Sequence, residues 1–158
     1  MHAFLKKKFG QNFLIDKNIR KKICDLIPSP NLKIIEIGPG DGRLTEYILA
    51  FNPKKLIIIE IDSDLILLLK DKFKKFKNLS IINQDFLNLE FNERYELIIS
   101  NLPYNISSKI LAKICSFEES PKNLILMFQK EFAERLLENK LNSLNSLVSC
   151  FYNIKKKF

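Results

Sequence analysis

Five short runs rich in Ile and Leu, LKIIEIG (32–38), KLIIIEI (55–61), LSIIN (79–83), YELIIS (95–100) and NLILMF (123–128), recur along the chain with longer amphipathic stretches between them. Each is too short for a buried helix and too uniformly apolar for a strand with one wet face, so each reads as a strand buried on both faces. The stretches between them have helical spacing. Residues 17–27 place Ile19, Ile23, Leu26 and Ile27 on one face, with Asp16 as N-cap. Residues 64–76 do the same with Leu65, Leu68, Leu69, Phe73 and Phe76 behind Asp62 and Ser63. Residues 107–117 carry Ile110, Leu111 and Ile114, and residues 129–139 carry Phe132, Leu136 and Leu137. Strands separated by helices at this spacing demand right-handed crossovers, and so predict an open, mostly parallel α/β sheet flanked by helices. Its ligand belongs beyond the carboxyl ends of the strands.

Composition narrows the chemistry. A chain of 158 residues is one domain's worth, and no apolar run reaches the ~20 residues of a membrane span. The start, MHAFLKKKFGQNFL, has neither a continuous apolar segment nor a small-residue cleavage site, which predicts a cytoplasmic protein without a membrane partner. Cys24, Cys115 and Cys150 are far apart and lack a CxxC or a His partner, so they are expected to be small buried apolar residues rather than metal ligands. His2 is the only histidine, which argues against imidazole catalysis or a His-based metal site. The net charge of +8 points to a polyanionic partner, although a lysine-rich composition is often only a solvated surface.

In EIGPGDG (36–42), glycines at 38, 40 and 42 follow the first strand and precede a helix starting near Arg43. Such a turn lets the backbone approach a ligand and presents the free N–H groups of a helix. Glu60 ends the second strand, where a carboxylate accepts hydrogen bonds from both hydroxyls of a ribose. That pairing suits any adenosine-containing ligand, nicotinamide cofactors included. The spacing, however, is not GxGxxG; the ExGxGxG order resembles the first motif of S-adenosylmethionine-dependent methyltransferases. Asp85, at the end of INQDF, is placed to accept from an adenine amine, with Ile61 and Phe86 offering apolar faces to the ring; a plain loop cap is the competing reading of Asp85.

After the fourth strand comes NLPY (101–104). Methyl transfer to an adenine amine needs the nitrogen lone pair, normally delocalised into the ring, to be freed and aimed. The side-chain oxygen of Asn101 and a main-chain carbonyl of Leu102 or Pro103 are suited to hold the two amine hydrogens. Pro103 fixes the turn, and Tyr104 supplies a face on which a flipped base stacks. No strong base is needed, since the alkylated amine gives its proton to water.

Together KKKFGQNFL (6–14), EIGPGDGRLT (36–45), IIEID (58–62), QDFL (84–87), NLPYNIS (101–107) and MFQKEFAERLL (127–137) resemble the rRNA adenine N6,N6-dimethyltransferase family, in its order and spacing. FGQNFL with NLPYN is closer to the branch acting on small-subunit rRNA than to the branch conferring macrolide resistance through large-subunit rRNA. The resemblance implies a Rossmann-like S-adenosylmethionine-dependent methyltransferase fold over residues 1–158 and a monomer acting on small-subunit rRNA or its precursor particle. It implies that Asn12 and Leu14 line the methionine end of S-adenosylmethionine, with Gly38 and Gly40 along its backbone. Glu60 would take the ribose, Asp85 the adenine amine, and Asn101 would stand between donor and acceptor with Pro103 and Tyr104. It also implies a part in small-subunit assembly. LNSLNSLVS stands in place of the family's YGxLS-like segment, and residues 1–158 are expected not to include the family's last strand and C-terminal helical domain. Residues 139–158, with SLVSCFYNI (146–154) lacking its usual partner, are therefore expected to be poorly ordered, and the alternative is a non-catalytic rRNA-binding module or an inactive fragment.

Overall fold

A computed structural model of the chain describes residues 14–91, 93–102 and 105–137. Five parallel strands form one sheet: β1 (Lys33–Ile37), β2 (Lys55–Glu60), β3 (Leu79–Asn83), β4 (Leu97–Asn101) and β5 (Asn123–Met127), in the order β3-β2-β1-β4-β5. All five predicted strands are present. The three inner strands are buried almost throughout, whereas β3 and β5 lie at the edges and are only half-buried, which corrects the expectation of burial on both faces for those two.

Helices α1 (Lys17–Cys24), α2 (Arg43–Ala50) and α3 (Ser63–Phe73) cover one face, packing Ile23, Ile48, Leu69 and Phe73 on Ile34, Ile58 and Ile99. Helix α4 (Ser107–Cys115) covers the other, with Ile110 and Ile114 on Ile35, Ile57 and Ile98, and α5 (Lys130–Leu137) joins it over β5. The chain thus runs outward from β1 through β2 to β3, then returns to the other side of β1 as β4. Between β1 and β4 the strand order reverses, which is where sheets of this kind hold a ligand beyond the carboxyl ends.

Asp16 caps α1, its carboxylate accepting from the N–H groups of Asn18 (2.7 Å) and Ile19 (3.3 Å), as expected. The helix ends at Cys24 rather than 27. Pro28 disfavours a helical residue before it, and Leu26 and Ile27 close with bonds to Ile23 and Cys24 instead. The buried stripe of α1 is Arg20, Ile23 and Cys24, so Ile19 stays 37% exposed. In α3, Asp62 is the cap, and Ile66 takes the buried place assigned to Leu68; Leu68 and Phe76 are exposed. Cys24 and Cys115 are buried as predicted, and burial pushes the Cys24 thiol up to about 12, with the charges of Glu36 and Asp25 adding to the effect. Cys150 and the expectations for 139–158 lie outside the described residues. Among those described, no helix is long and apolar enough to cross a membrane.

Candidate active site

The site is assembled by register. Ile37 of β1 pairs with Ser100 of β4, so the glycine turn that begins at Gly38 starts beside Asn101. Ile37 also pairs with Ile59 of β2, so Glu60 lies on the other side of the same turn. Side chains alternate along a strand, and Glu36, Glu60 and Asn101 share the parity of Ile34, Ile58 and Ile99, the residues facing α1, α2 and α3. Glu60 and Asn101 therefore lean to one face from strands separated by β1 alone, roughly 10 Å apart at the usual strand spacing. The side chain of Ser100, 2% exposed, donates to the Ile37 carbonyl at 2.6 Å and ties the two strands together just before both loops.

Glu60 is 5% exposed and organises its surroundings with both carboxylate oxygens. One accepts from the Gly40 N–H at 3.2 Å and the other from the Asp62 N–H at 3.0 Å, so the glycine turn and the start of α3 are both hung from it. Burial raises its pKa, and the backbone bonds from Asp62 and Gly40 oppose that rise. A carboxylate has about four lone-pair positions, which leaves acceptor capacity for a ligand's hydroxyls. Next to it Ile61 is 45% exposed, an apolar surface at the mouth of the site.

All three glycines of the turn have positive φ, but their surroundings differ. A Cβ on Gly38 (φ +66) would meet nothing within 4 Å, so the backbone there borders open space. A Cβ on Gly42 (φ +78) would come within 2.6 Å of the Phe73 ring and 2.8 Å of Leu69, both core residues of α3 that have no room to yield. Gly42→Ala is therefore expected to destabilise the fold by about 2–4 kcal/mol, from overpacking plus left-handed strain. Gly38→Ala should cost only about 1 kcal/mol, since its methyl enters that open space. Denaturant melts and calorimetry on the two variants check the contrast, which fails if Gly38→Ala is the less stable.

Glu36 has no role in the sequence reading beyond heading the glycine motif, and the structure supplies one. It is 1% exposed, and the Thr45 hydroxyl of α2 donates to it at 2.6 Å, fastening the helix to β1. Burial lifts its pKa to about 8; the Thr45 bond works against this and the neighbouring Glu60 adds to it. The folded chain thus holds this proton more tightly than the unfolded chain, whose value is near the ordinary 4.5. The stability so contributed is complete below the unfolded value and is lost as pH rises towards the folded one. Glu36→Gln should flatten that fall and raise Tm at pH 8 by roughly 5 °C. Melts at pH 5 and pH 8 check it; equal slopes for both proteins would refute it. The turn is further held by Lys72 of α3, which donates to the Asp41 carbonyl at 2.9 Å and pairs with Glu46 at 2.8 Å.

The other predicted residues divide. Leu14 is half-buried against the core beneath α1 and α2. Asp85 caps the 3-10 turn Phe86–Asn88, one oxygen accepting from the Leu87 N–H at 3.0 Å, which is the loop-cap reading and still leaves acceptor capacity. Phe86 is a correction. Its ring is 4% exposed and packs against Phe91 and Phe117 beneath the sheet, so it presents no face to a ligand. Leu102, 2% exposed and bonded through its N–H to Met127, anchors the segment after Asn101. Asn12, Pro103 and Tyr104 lie outside the described residues. A cavity of about 300 Å³ lined by Tyr95, Lys113 and Phe117 shares no residue with this site.

The family model described as "Ribosomal RNA adenine dimethylase" matches residues 3–156. The chain belongs to this family. Among its relatives, the Ribosomal RNA small subunit methyltransferase A of Pelagibacter ubique is 43% identical, over 99% of this chain and 63% of that protein. The protein of the same name from Metamycoplasma arthritidis is 42% identical, over 100% of this chain and 62% of its own length. This dimethylase-family chain thus spans about three-fifths of the length of the curated relatives it matches. Of the solved structures, a dimethyladenosine transferase from Plasmodium falciparum superposes with a TM-score of 0.74 at 35% identity, covering 81% of this chain and 47% of that one. The 23S rRNA methyltransferase ErmE does so with 0.68 at 30% identity, covering 78% and 50%. The sheet flanked by helices is the Rossmann-like fold of S-adenosylmethionine-dependent methyltransferases, as the sequence implied.

Proposed function

We propose that the chain binds S-adenosylmethionine and transfers its methyl to the N6 amine of adenines in small-subunit rRNA, giving N6,N6-dimethyladenosine, with a part in small-subunit assembly. The observation that carries this reading is the register that sets Glu60 and Asn101 on one sheet face around the glycine turn. The names of its relatives supply the substrate class.

The residues suit such a cofactor. Glu60 offers anionic acceptors for two ribose hydroxyls, Gly38 borders open space, Ile61 supplies an exposed apolar surface, and Asp85 retains an acceptor for an amine. Asn12, Leu14 and Gly40 complete the set at the methionine end. When bound, S-adenosylmethionine supplies an electrophilic methyl on a positively charged sulfur.

The chain's own part is to hold and aim. The Asn101 side-chain oxygen and a main-chain carbonyl of the following residues accept the two amine hydrogens, so that the nitrogen pyramidalises and its lone pair points at the donor. Pro103 stiffens that turn and Tyr104 stacks on the base, which offsets the cost of unstacking it from RNA. The proton released goes to water, so positioning and electrostatics carry the rate. The net charge of +8 draws the polyanion.

Two measurements test this. S-adenosylhomocysteine should bind in calorimetry where NADH does not. Incubation with labelled S-adenosylmethionine and unmethylated small subunits should yield dimethyladenosine on digestion. Salt-dependent RNA binding without any transfer would favour an assembly module instead, and preference for NADH would end the cofactor assignment.

A further inference from the structure

Arg20 lies on the buried stripe of α1 and is 5% exposed. Its Nη1 donates to the main-chain carbonyls of Leu14 and Ile15, the second at 2.7 Å, and its guanidinium carbon sits 5.3 Å from the centre of the Tyr47 ring of α2. Among the described residues no carboxylate pairs with it, and its Nε is buried without an acceptor. A buried cation without a counter-charge is costly to desolvate. Two charge-assisted bonds and one cation–π contact offset that cost without a large surplus. Stability alone therefore does not account for an arginine where α1 otherwise buries Ile23 and Cys24.

What the arrangement does is geometric. It fastens the main chain at 14–15, next to the half-buried Leu14 and the 70% exposed Ile15, onto Tyr47 of the helix that grows out of the glycine turn. We propose that Arg20 is a positioning residue, a buried latch holding the main chain at Leu14 and Ile15 against α2 so that Leu14 meets the cofactor in one place. This rests on the reading that Asn12 and Leu14 serve the methionine end of the cofactor.

The test uses the full chain with Arg20→Met, which keeps an unbranched apolar stem and removes the guanidinium, and Arg20→Lys, which keeps the charge and one bond. Arg20→Met should leave Tm within a few degrees, because the desolvation cost disappears with the bonds. It should raise the rate of chymotryptic cleavage after Leu14 about 10-fold through local opening, and weaken S-adenosylhomocysteine about 10-fold through lost preorganisation. Arg20→Lys should recover part of both. Unchanged cleavage in Arg20→Met overturns the latch. Faster cleavage with unchanged affinity, where Asn12→Ala does weaken binding, overturns the positioning role. If neither Arg20→Met nor Asn12→Ala affects binding, the cofactor reading of Asn12 and Leu14 fails while the cleavage result still judges the latch. Should Arg20→Met fail to fold, Arg20→Lys decides by the same two readouts, and its failure to fold as well would make the role one of stability and overturn the proposal.

Discussion

Asn101→Ala is expected to lower methyl transfer to adenine by about 100- to 1,000-fold, the usual effect of removing one preorganised polar partner of a transition state. S-adenosylhomocysteine should bind within a few-fold of wild type, because the ribose and adenine contacts assigned to Glu60 and Asp85 stay in place. The fold should survive. Asn101 is the last residue of β4, pairing with Met127 through main chain, and Leu102 behind it is anchored by its own N–H and a buried side chain. The separation of the two readouts is the substance of the prediction: a residue that aims the amine acts on turnover, whereas one that only shapes the fold acts on both. Single-turnover rates with labelled donor, alongside calorimetry, measure it. Robust dimethyladenosine from the alanine variant would remove Asn101 from the mechanism.

For Glu60→Ala the large effect should fall on cofactor affinity, at least about 100-fold, since the two charge-assisted bonds to ribose proposed for it would be lost. The same change releases the N–H groups of Gly40 and Asp62, so the glycine turn slackens as the ligand contacts go. Glu60→Gln separates the two effects in part, because an amide fills the same space but turns an N–H₂ group towards one of those two donors. A pH dependence follows from burial. The carboxylate is the form that accepts from hydroxyls, and burial raises its pKa above the ordinary 4.5. Affinity should therefore weaken as pH falls, beginning above the range in which an exposed glutamate would protonate. The Gln variant, having nothing to titrate at this position, should lose that acid limb, which also separates Glu60 from Glu36 nearby. Calorimetric titrations between pH 5 and pH 8 decide it, and an acid limb of equal size in both proteins would count against the assignment.

Much of the site was readable in the linear order because the chemistry of turns is local. The glycine turn, Glu60, Asp85 and Asn101 each stand at or just after the end of a strand, and strands in a parallel sheet all point their carboxyl ends the same way. Where the reading went astray, the deciding partner was distant in sequence. Phe86 stands beside a candidate ligand residue, yet the aromatic pocket formed with Phe91 and Phe117 takes its ring into the core. Leu68 and Ile66 are both apolar, and which of them is buried depends on the face α3 turns to the sheet. The sequence offers no sign that Arg20 is buried, because the carbonyls of Leu14 and Ile15 that receive it are groups every residue carries and no pattern reveals.

By itself, then, the order of residues determined the alternation of strand and helix, the caps at Asp16 and Asp62, and which side chains stand at the strand ends, all set by backbone sterics and hydrophobic period within a few residues. The tertiary structure alone decided that β1 lies between β2 and β4, so that Glu60 and Asn101 share one sheet face on the strands either side of the glycine turn. It also decided that Gly42 must be bare because Phe73 and Leu69 press against it. The physical reason is that close packing and hydrogen-bond pairing act between surfaces brought together by the sheet, and those surfaces do not exist until the sheet has formed.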